Sequence, residues 1–416
     1  MNTVIEQPRE LPVLHRCEVL VAGGGIAGMA AALAAARGGK RVLLLEREFA
    51  LGGMATLGLV TIFLPLCDGE GAQLSYGLCE ELLKLSIRHG AEANYPAAWL
   101  DGGSQEDRRE NRYMTQFNPW LFAIGAERLL REAGVEILYG STACGVLKEN
   151  GRIRHVLIEN KSGRSAIETR SVIDCTGDGD LCRLSGAPTA LHEGGNGLAG
   201  WYYYQQGGGV RLNMFGLADV VPGGAAEQAR HQQDGERYRA EKVKTLGSLR
   251  FSGVDGKELS DSVLAVHEKM YQDMLSRHEA DESCLPTAIS SIPLVRMSRR
   301  LCGAYTLDDS QDHVSFPDSI GMTGDWRRRG PAYELPFRSL YCREVPNLLA
   351  AGRDISVTDR MWDITRVIPG CAVTGQAAGT AAALGEDFPG LDVGALQASL
   401  RRDGVRLHLD EVYPPK

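Results

Sequence analysis

No Cys-x-x-Cys pair occurs among the ten cysteines of this chain. Zinc ribbons, iron–sulfur sites and dithiol oxidoreductases need that kind of spacing, so no metal site is expected. The thiols read as reduced and mostly buried, as in a cytoplasmic protein. Basic charge is also short. Lys and Arg number 45 against 53 Asp and Glu, a net charge of −8. Nucleic acid selects basic patches, so it is not expected as a partner. Outside the glycine-broken stretch that begins at Val19, no run reaches the roughly 18 uncharged apolar residues of a membrane span. The opening MNTVIEQPRELPVLHRCE lacks the basic-then-apolar order of a secretory signal. No membrane partner is expected, and the expected location is cytoplasmic.

Glycine, by contrast, is plentiful, at 50 of 416 residues, and in one place it is ordered. Val19 to Ala22 read as a short buried strand, and Gly23, Gly25 and Gly28 follow as G-x-G-x-x-G. Ile26 to Arg37 is rich in alanine and leucine and suits a helix. Gly38-Gly39 closes it, and Arg41 to Leu45 is a second buried strand ending at Glu46. In such a β-α-β unit the first glycine makes the turn and the second admits a pyrophosphate. The third lets helix and strand pack closely, and the acid holds a ribose. The phosphates belong at the helix N-terminus, where free N–H groups and the dipole favour negative charge. The context points to dinucleotide binding; a glycine-rich packing turn alone would leave Glu46 unexplained.

A chain of 416 residues is too long for one compact core, so two domains are expected. Gly52-Gly53 and Gly58 bring backbone close to something flat or charged. Residues 75 to 90 have helical periodicity, 91 to 113 look like polar loop, and Asn118-Pro119 opens a helix stopped by Gly134. Asn150-Gly151 and Ser162-Gly163 are turn signals between alternating segments. They predict a three-stranded antiparallel meander before a last buried strand at Ser171 to Asp174. From residue 186 the character changes. Trp201, Tyr202, Tyr203 and Tyr204 cluster, a polar helical stretch lies around 225 to 245, and a basic segment carries Arg327-Arg328-Arg329. At Asn347 the buried-strand pattern returns, which makes the nucleotide domain discontinuous with a cap inserted.

Three segments carry a family resemblance: GGGIAG with Glu46, IDCTGDGDL at 173 to 181, and NLLAAGRD with GQAAGTAAAL at 347 to 384. With them the chain resembles FAD-dependent oxidoreductases of the glutathione-reductase domain type, related to succinate dehydrogenase and fumarate reductase flavoproteins. SRRLCGAYTL, LPFRSL and RVIPGCAVTGQAAGTAAAL are similar to a mostly uncharacterised bacterial branch of them. The resemblance implies an α/β fold: a Rossmann-like FAD-binding domain with an inserted three-stranded β-meander, plus an α+β substrate or cap domain. The expected FAD domain comprises 12–58, 115–188 and 335–388. The expected cap is 59–114 and 189–334, and 389–416 is a C-terminal tail.

It further implies FAD as cofactor. Gly23, Gly25 and Gly28 would hold the pyrophosphate and Glu46 the adenosine ribose, with Ile26, Ala27 and Arg47 also among the cofactor-binding residues. Gly53, Met54 and Ala143 join the cofactor set. Thr176, Gly177 and Asp178 form a second contact. Gly352, Arg353 and Asp354 form a third, with Asp354 near the pyrophosphate and ribityl chain. A helix beginning near Thr374, Gly375 and Gln376 would point at the flavin. Some relatives attach FAD through a histidine after the Glu-bearing strand. None occurs between Glu46 and Ile87, so non-covalent FAD is expected.

No second G-x-G-x-x-G unit is evident for a nicotinamide. Electrons then come from the organic substrate, from an external donor or acceptor protein, or from nicotinamide docking transiently. A homodimer, the commonest assembly of soluble enzymes, stays open. Arg366 is the first catalytic candidate. It either anchors a substrate carboxylate or stabilises charge beside the flavin, unless it merely pairs with Asp363 or Asp354. Arg299 and Arg300 alternate on a strand, so one of them would face the cavity. Tyr204, with Tyr202, would line a substrate cavity, or belong to an aromatic core. His192 is a candidate general base and otherwise structural. The arginine run reads as a solvated loop, and a redox pair of Cys67 and Cys79 as a minor alternative. The expected activity is an FAD-dependent oxidoreductase on a small polar organic molecule, by dehydrogenation at C–OH or CH–CH or by alkene reduction. FAD-supported group transfer or RNA modification, or a flavin electron-transfer subunit, are the alternatives.

Overall fold

Four apolar segments and one edge strand form a parallel sheet in the order Leu348–Ala350, Ser171–Asp174, Val19–Ala22, Val42–Leu45, Glu136–Leu138. The computed structural model describes residues 3–6, 8–216 and 246–413, so the helical stretch read around 225 to 245 lies outside the described residues. Val19–Ala22, Val42–Leu45 and Leu348–Ala350 are uninterrupted hydrophobic runs because both sheet faces are covered. Val19, Val21 and Leu44 pack toward two helices, while Leu20, Leu43 and Leu45 pack toward a second sheet. That second sheet is the expected meander, Thr142–Glu149, Arg152–Asn160 and Gly163–Glu168, extended by Val13–Arg16 running parallel to its last strand.

The helices are Ile26–Arg37 and Ile368–Leu384. Neither has an amphipathic stripe, because both are buried almost all round: 10 of 12 residues in the first are buried. A helix of that kind reads as alanine and glycine rather than as a 3.6-residue rhythm. The two touch backbone to backbone. A Cβ on Gly375 would fall inside the radius of the Ala27 carbonyl oxygen, and one on Gly379 inside that of Ala31. Gly28 meets Gly23 in the same way, as the third glycine of the motif should.

A smaller sheet, Gly209–Phe215, Gly200–Gln206 and Leu285–Ile289, forms the cap. One face packs on the 25-residue helix Gly256–Ala280, the other on Leu59 and Leu294. That helix was not read from the sequence. Only Ser262, Val266 and Met270 are buried along it, too thin a stripe to stand out. Residues 91 to 113, expected as loop, contain the short helices Ala97–Leu100 and Gln105–Glu110, the second with a Ser104–Asp107 capping box. Among the described residues no single helix is long and apolar enough to cross a membrane.

The close approach of the two helices generates a prediction. Gly379→Ala places a methyl against the Ala31 carbonyl, which must move. We expect a loss of about 1–3 kcal/mol of stability, read by urea unfolding of the apoprotein. An unchanged midpoint would contradict the packing described.

Candidate active site

All five strands of the main sheet run the same way, so their C-terminal ends deliver five loops to one edge: those after Ala22, Leu45, Leu138, Asp174 and Ala350. Ligands bind at that edge in open α/β sheets. Here it holds a cleft enclosing about 1600 Å³ of non-protein space, part of it open to solvent. Of the residues singled out from the sequence, Gly23, Gly25, Ile26, Ala27, Glu46, Arg47, Gly53, Met54, Ala143, Thr176, Gly177, Asp178, Gly352, Arg353 and Arg366 line it.

Gly25 is the helix N-cap, and no side chain caps the first turn, which leaves the leading N–H groups for a ligand. Its φ of −69° suits any residue, and a Cβ there would meet no protein atom within 4 Å. Nothing in the protein itself requires glycine at this point, and the space against the helix start is open. The residues present therefore fit a phosphate-bearing group. Gly23 differs: its φ is +100° and its Cβ would strike Cys175, so the turn and packing demand glycine.

Glu46 is 7% exposed, with one oxygen accepting from Gly24 N–H at 2.6 Å and the other from Glu48 N–H at 2.8 Å. Burial pushes its carboxyl up, against the pull of those two donors. The turn from Thr176 to Asp180 is tied down from below. Asp174 accepts from the Thr176 hydroxyl at 2.7 Å and from Cys182 N–H at 2.8 Å. Asp354 accepts from Gly177 N–H at 3.0 Å and Gly179 N–H at 3.2 Å. Burial and the neighbouring Asp174 carboxylate push the Asp354 carboxyl well above the usual range. Asp180, open to the cleft, is pushed up to about 6 by burial and by Asp174 and Asp178.

Several expectations need correcting. Asp354 does not line the cleft; it is fully buried and positions the turn above it. The core helix begins at Ile368, not near Thr374, and Pro369 in its first turn is the signal that marks the true start. Ile368 and Cys371 reach the cleft in its place. The Thr374 hydroxyl accepts from Gly352 N–H at 3.0 Å, Gly375 is the helix contact, and Gln376 accepts from Leu78 N–H at 2.8 Å. Gly28 is likewise packing, not lining. The Cys371 thiol is pushed up to about 12 by burial, so it stays protonated at neutral pH.

The catalytic candidates separate. Arg366 sits at the elbow where the chain turns by 89° between helices Asp359–Thr365 and Ile368–Leu384. It is 8% exposed, donates through Nε to Asp363 at 3.0 Å and through Nη2 to the same oxygen, and lies 5.9 Å from the Trp326 ring centroid. It therefore pairs with Asp363 and lines the cleft at once. Arg299 and Arg300 do point oppositely, but neither lines the cleft. Arg299 donates to the Asp178 carbonyl at 3.1 Å, and Arg300 pairs with Asp359 at 3.2 Å. His192 Nδ1 also meets Asp359, at 3.0 Å, and its buried ring packs edge-on to Trp362. It is a strut behind the cleft, not a base in it. Tyr204 stacks under Arg277 of the long helix, and Tyr202 shares that face. The opposite face, Trp201 and Tyr203, backs the cleft wall through Met54, Val60 and Ile62. Arg327 and Arg328 are not a solvated loop; they pair with the buried Asp325, and Arg327 also with Asp363. Cys67 and Cys79 are free thiols away from the cleft.

Sequence reasoning passed over Arg296, which lines the cleft 5.5 Å from the Trp201 ring centroid. It also passed over the apolar wall of Val60, Ile62, Leu64, Ile292 and Pro293. No motif marks these positions, since they come from segments far apart in the chain that meet where the cap lies over the sheet edge.

A family described as FAD dependent oxidoreductase matches residues 18–281 and 251–400. The probable electron transfer flavoprotein-quinone oxidoreductase YgcN of Escherichia coli (strain K12) is 31% identical over 147 residues, which is 34% of this chain and 32% of that protein. The match thus spans about a third of the length of the curated relative. Among solved structures, p-nitrophenol 4-monooxygenase PnpA of Pseudomonas putida DLL-E4 aligns with a TM-score of 0.47 at 13% identity, over 93% of this chain and 84% of that one. A geranylgeranyl bacteriochlorophyll reductase-like protein of Thermoplasma acidophilum aligns with a TM-score of 0.43 at 14% identity, over 94% and 82%. With the family match covering most of its length, the chain belongs to the FAD-dependent oxidoreductase family, and is an enzyme whose cofactor is FAD.

Proposed function

We propose that the cleft binds FAD non-covalently and oxidises or reduces a small polar organic substrate carrying a carbonyl or carboxylate group. The observation that carries the reading is Gly25, a glycine that no protein atom requires, beside open space at an uncapped helix start. The first-turn amides after it receive the pyrophosphate, where the helix dipole adds to their donors. A carboxylate has about four lone-pair sites. Two at Glu46 are used by Gly24 and Glu48, leaving capacity for ribose hydroxyls. Arg47 and Ala143 frame that end, and the turn at Thr176 to Asp178 and Arg353 frame the middle. Asp354 acts through the turn it positions.

Bound FAD supplies two-electron exchange with the substrate. The start of helix Ile368–Leu384 and Arg366 then place two positive features at the same end of the cleft. They stabilise negative charge there and attract a substrate carbonyl or carboxylate. Asp363 fixes the plane of the Arg366 fork, and Arg327 on its other oxygen offsets part of its charge. A second reading, electron transfer with a protein partner or quinone, is favoured only by the name of the Escherichia coli relative. Anaerobic bleaching of the flavin by a metabolite pool supports the first reading, and bleaching only by a protein donor supports the second.

Two variants test the assignment. Gly25→Val fills the space at the helix start. We expect FAD dissociation, followed by fluorescence, to weaken at least about tenfold, or roughly 1.4 kcal/mol, while the apoprotein melts as wild type. Unchanged affinity would place the cofactor elsewhere. Arg366→Lys keeps the charge and loses the planar fork. We expect normal FAD binding and flavin reduction by substrate at least about tenfold slower. Wild-type stopped-flow rates, or outright loss of FAD, would remove Arg366 from the substrate site.

A further inference from the structure

The cap helix Gly256–Ala280 buries only Ser262, Val266 and Met270 against its own sheet, with Leu259, Ala265 and Met274 half-buried beside them. Its opposite face carries a second apolar stripe. Leu264 is 66% exposed, Tyr271 56% and Leu275 37%. Asp261, Glu268 and His278 complete the row, and from Asp261 to His278 the steps are 3, 4, 3, 4 and 3 residues. That alternation is the seam of a two-helix coil. Large apolar side chains scattered singly on a surface need no explanation, but three in register along one helix do.

The order of residues along the stripe selects its partner. Laid parallel on a copy of itself, the helix would set Glu268 against Glu268 and Asp261 against Asp261, and like charges in contact repel. Laid antiparallel about a two-fold axis between Lys269 and Met270, it sets Leu264 opposite Leu275, Glu268 opposite Tyr271 and Asp261 opposite His278. Every contact is then made twice, as a two-fold interface requires. Leucine meets leucine, one carboxylate meets a phenol hydroxyl and the other an imidazole, and the helix dipoles run opposite ways. The exposed acids Asp261, Glu268 and Glu279 would repel an anionic membrane from the same face. We infer that this stripe pairs with the same stripe of a second copy, as the antiparallel helix interface of a homodimer. The helix also supplies Leu259 to the cleft lining, so the interface lies on the far side of a cleft-forming element. One helix pair is a small interface, and the dimer is expected to dissociate at roughly micromolar concentration.

The test is sedimentation velocity of the full chain, saturated with FAD, over a series from about 1 to 100 μM. The weight-average sedimentation coefficient is expected to rise across the series. Leu264→Asp changes an exposed residue, so it should leave the flavin band as in wild type. It should raise the dissociation constant at least about tenfold, because each dimer would bury two carboxylates against leucine. Cross-linking reads the register. A double variant, Leu264→Cys with Leu275→Cys, is expected to form a covalent dimer under mild oxidation, since antiparallel pairing brings the two positions together. Either single variant should stay uncoupled, as should the wild type, whose ten thiols are all buried or half-buried. A chain that stays monomeric across the series would overturn the inference and leave the stripe to a different partner. So would a dimer that Leu264→Asp does not weaken. A Leu264→Cys single variant that couples to itself as readily as the double variant couples would also overturn it, by showing a parallel pair. If Leu264→Asp does not fold, the cross-linking decides alone.

Discussion

The structure depends on one contact, the backbone-to-backbone packing of helices Ile26–Arg37 and Ile368–Leu384. Gly375 and Gly379 lie on Ala27 and Ala31 with no room for a side chain between them. Small residues on both sides let the helix axes approach closely, so dispersion is gathered from main-chain atoms rather than from large side chains. The first helix starts where strand Val19–Ala22 ends, and the second follows the elbow at Arg366. Locking them together therefore brings two helix N-termini to one edge of the sheet. The charge character of the cleft follows from that placement before any arginine is counted.

The buried acids serve the same end from underneath. Asp174 and Asp354 would be costly alone in the core, but each satisfies backbone N–H groups of the turn that forms the cleft floor. His192, Arg300, Asp359 and Trp362 form a comparable strut on the far side, with the Trp362 indole donating to the Arg353 carbonyl at 2.7 Å. These residues shape the site without reaching it.

Much of the sheet and of the glycine-rich edge of the cleft was legible in the sequence, because both are local. The glycine turn, the acid at the tip of the next strand and the turn-bounded meander each depend on residues a few positions apart. The apolar wall of the cleft and Arg296 were not, because they are assembled from segments far apart in the chain. Arg296 reaches the cleft through a loop held by Asn196, a hundred residues earlier. Alternation correctly separated Tyr202 and Tyr204 from Trp201 and Tyr203, yet it cannot say which face meets a helix and which a cavity. The start of the second core helix was misplaced because its alanine and glycine run has no amphipathic phase to follow, although Pro369 marked it. His192 shows the converse: the sequence leaves an isolated histidine at a domain crossing open between general base and strut, and only its aspartate partner decides.

The central claim is that the two helix starts together form the cofactor site. Amide hydrogen exchange of the apoprotein, with and without added FAD, tests it most directly. The account predicts slowed exchange at residues 23–28, 176–179 and 368–371, with the cap helix Gly256–Ala280 little changed beyond its first turns. Protection confined to the cap sheet and its helix, with the glycine turn unaffected, would contradict it.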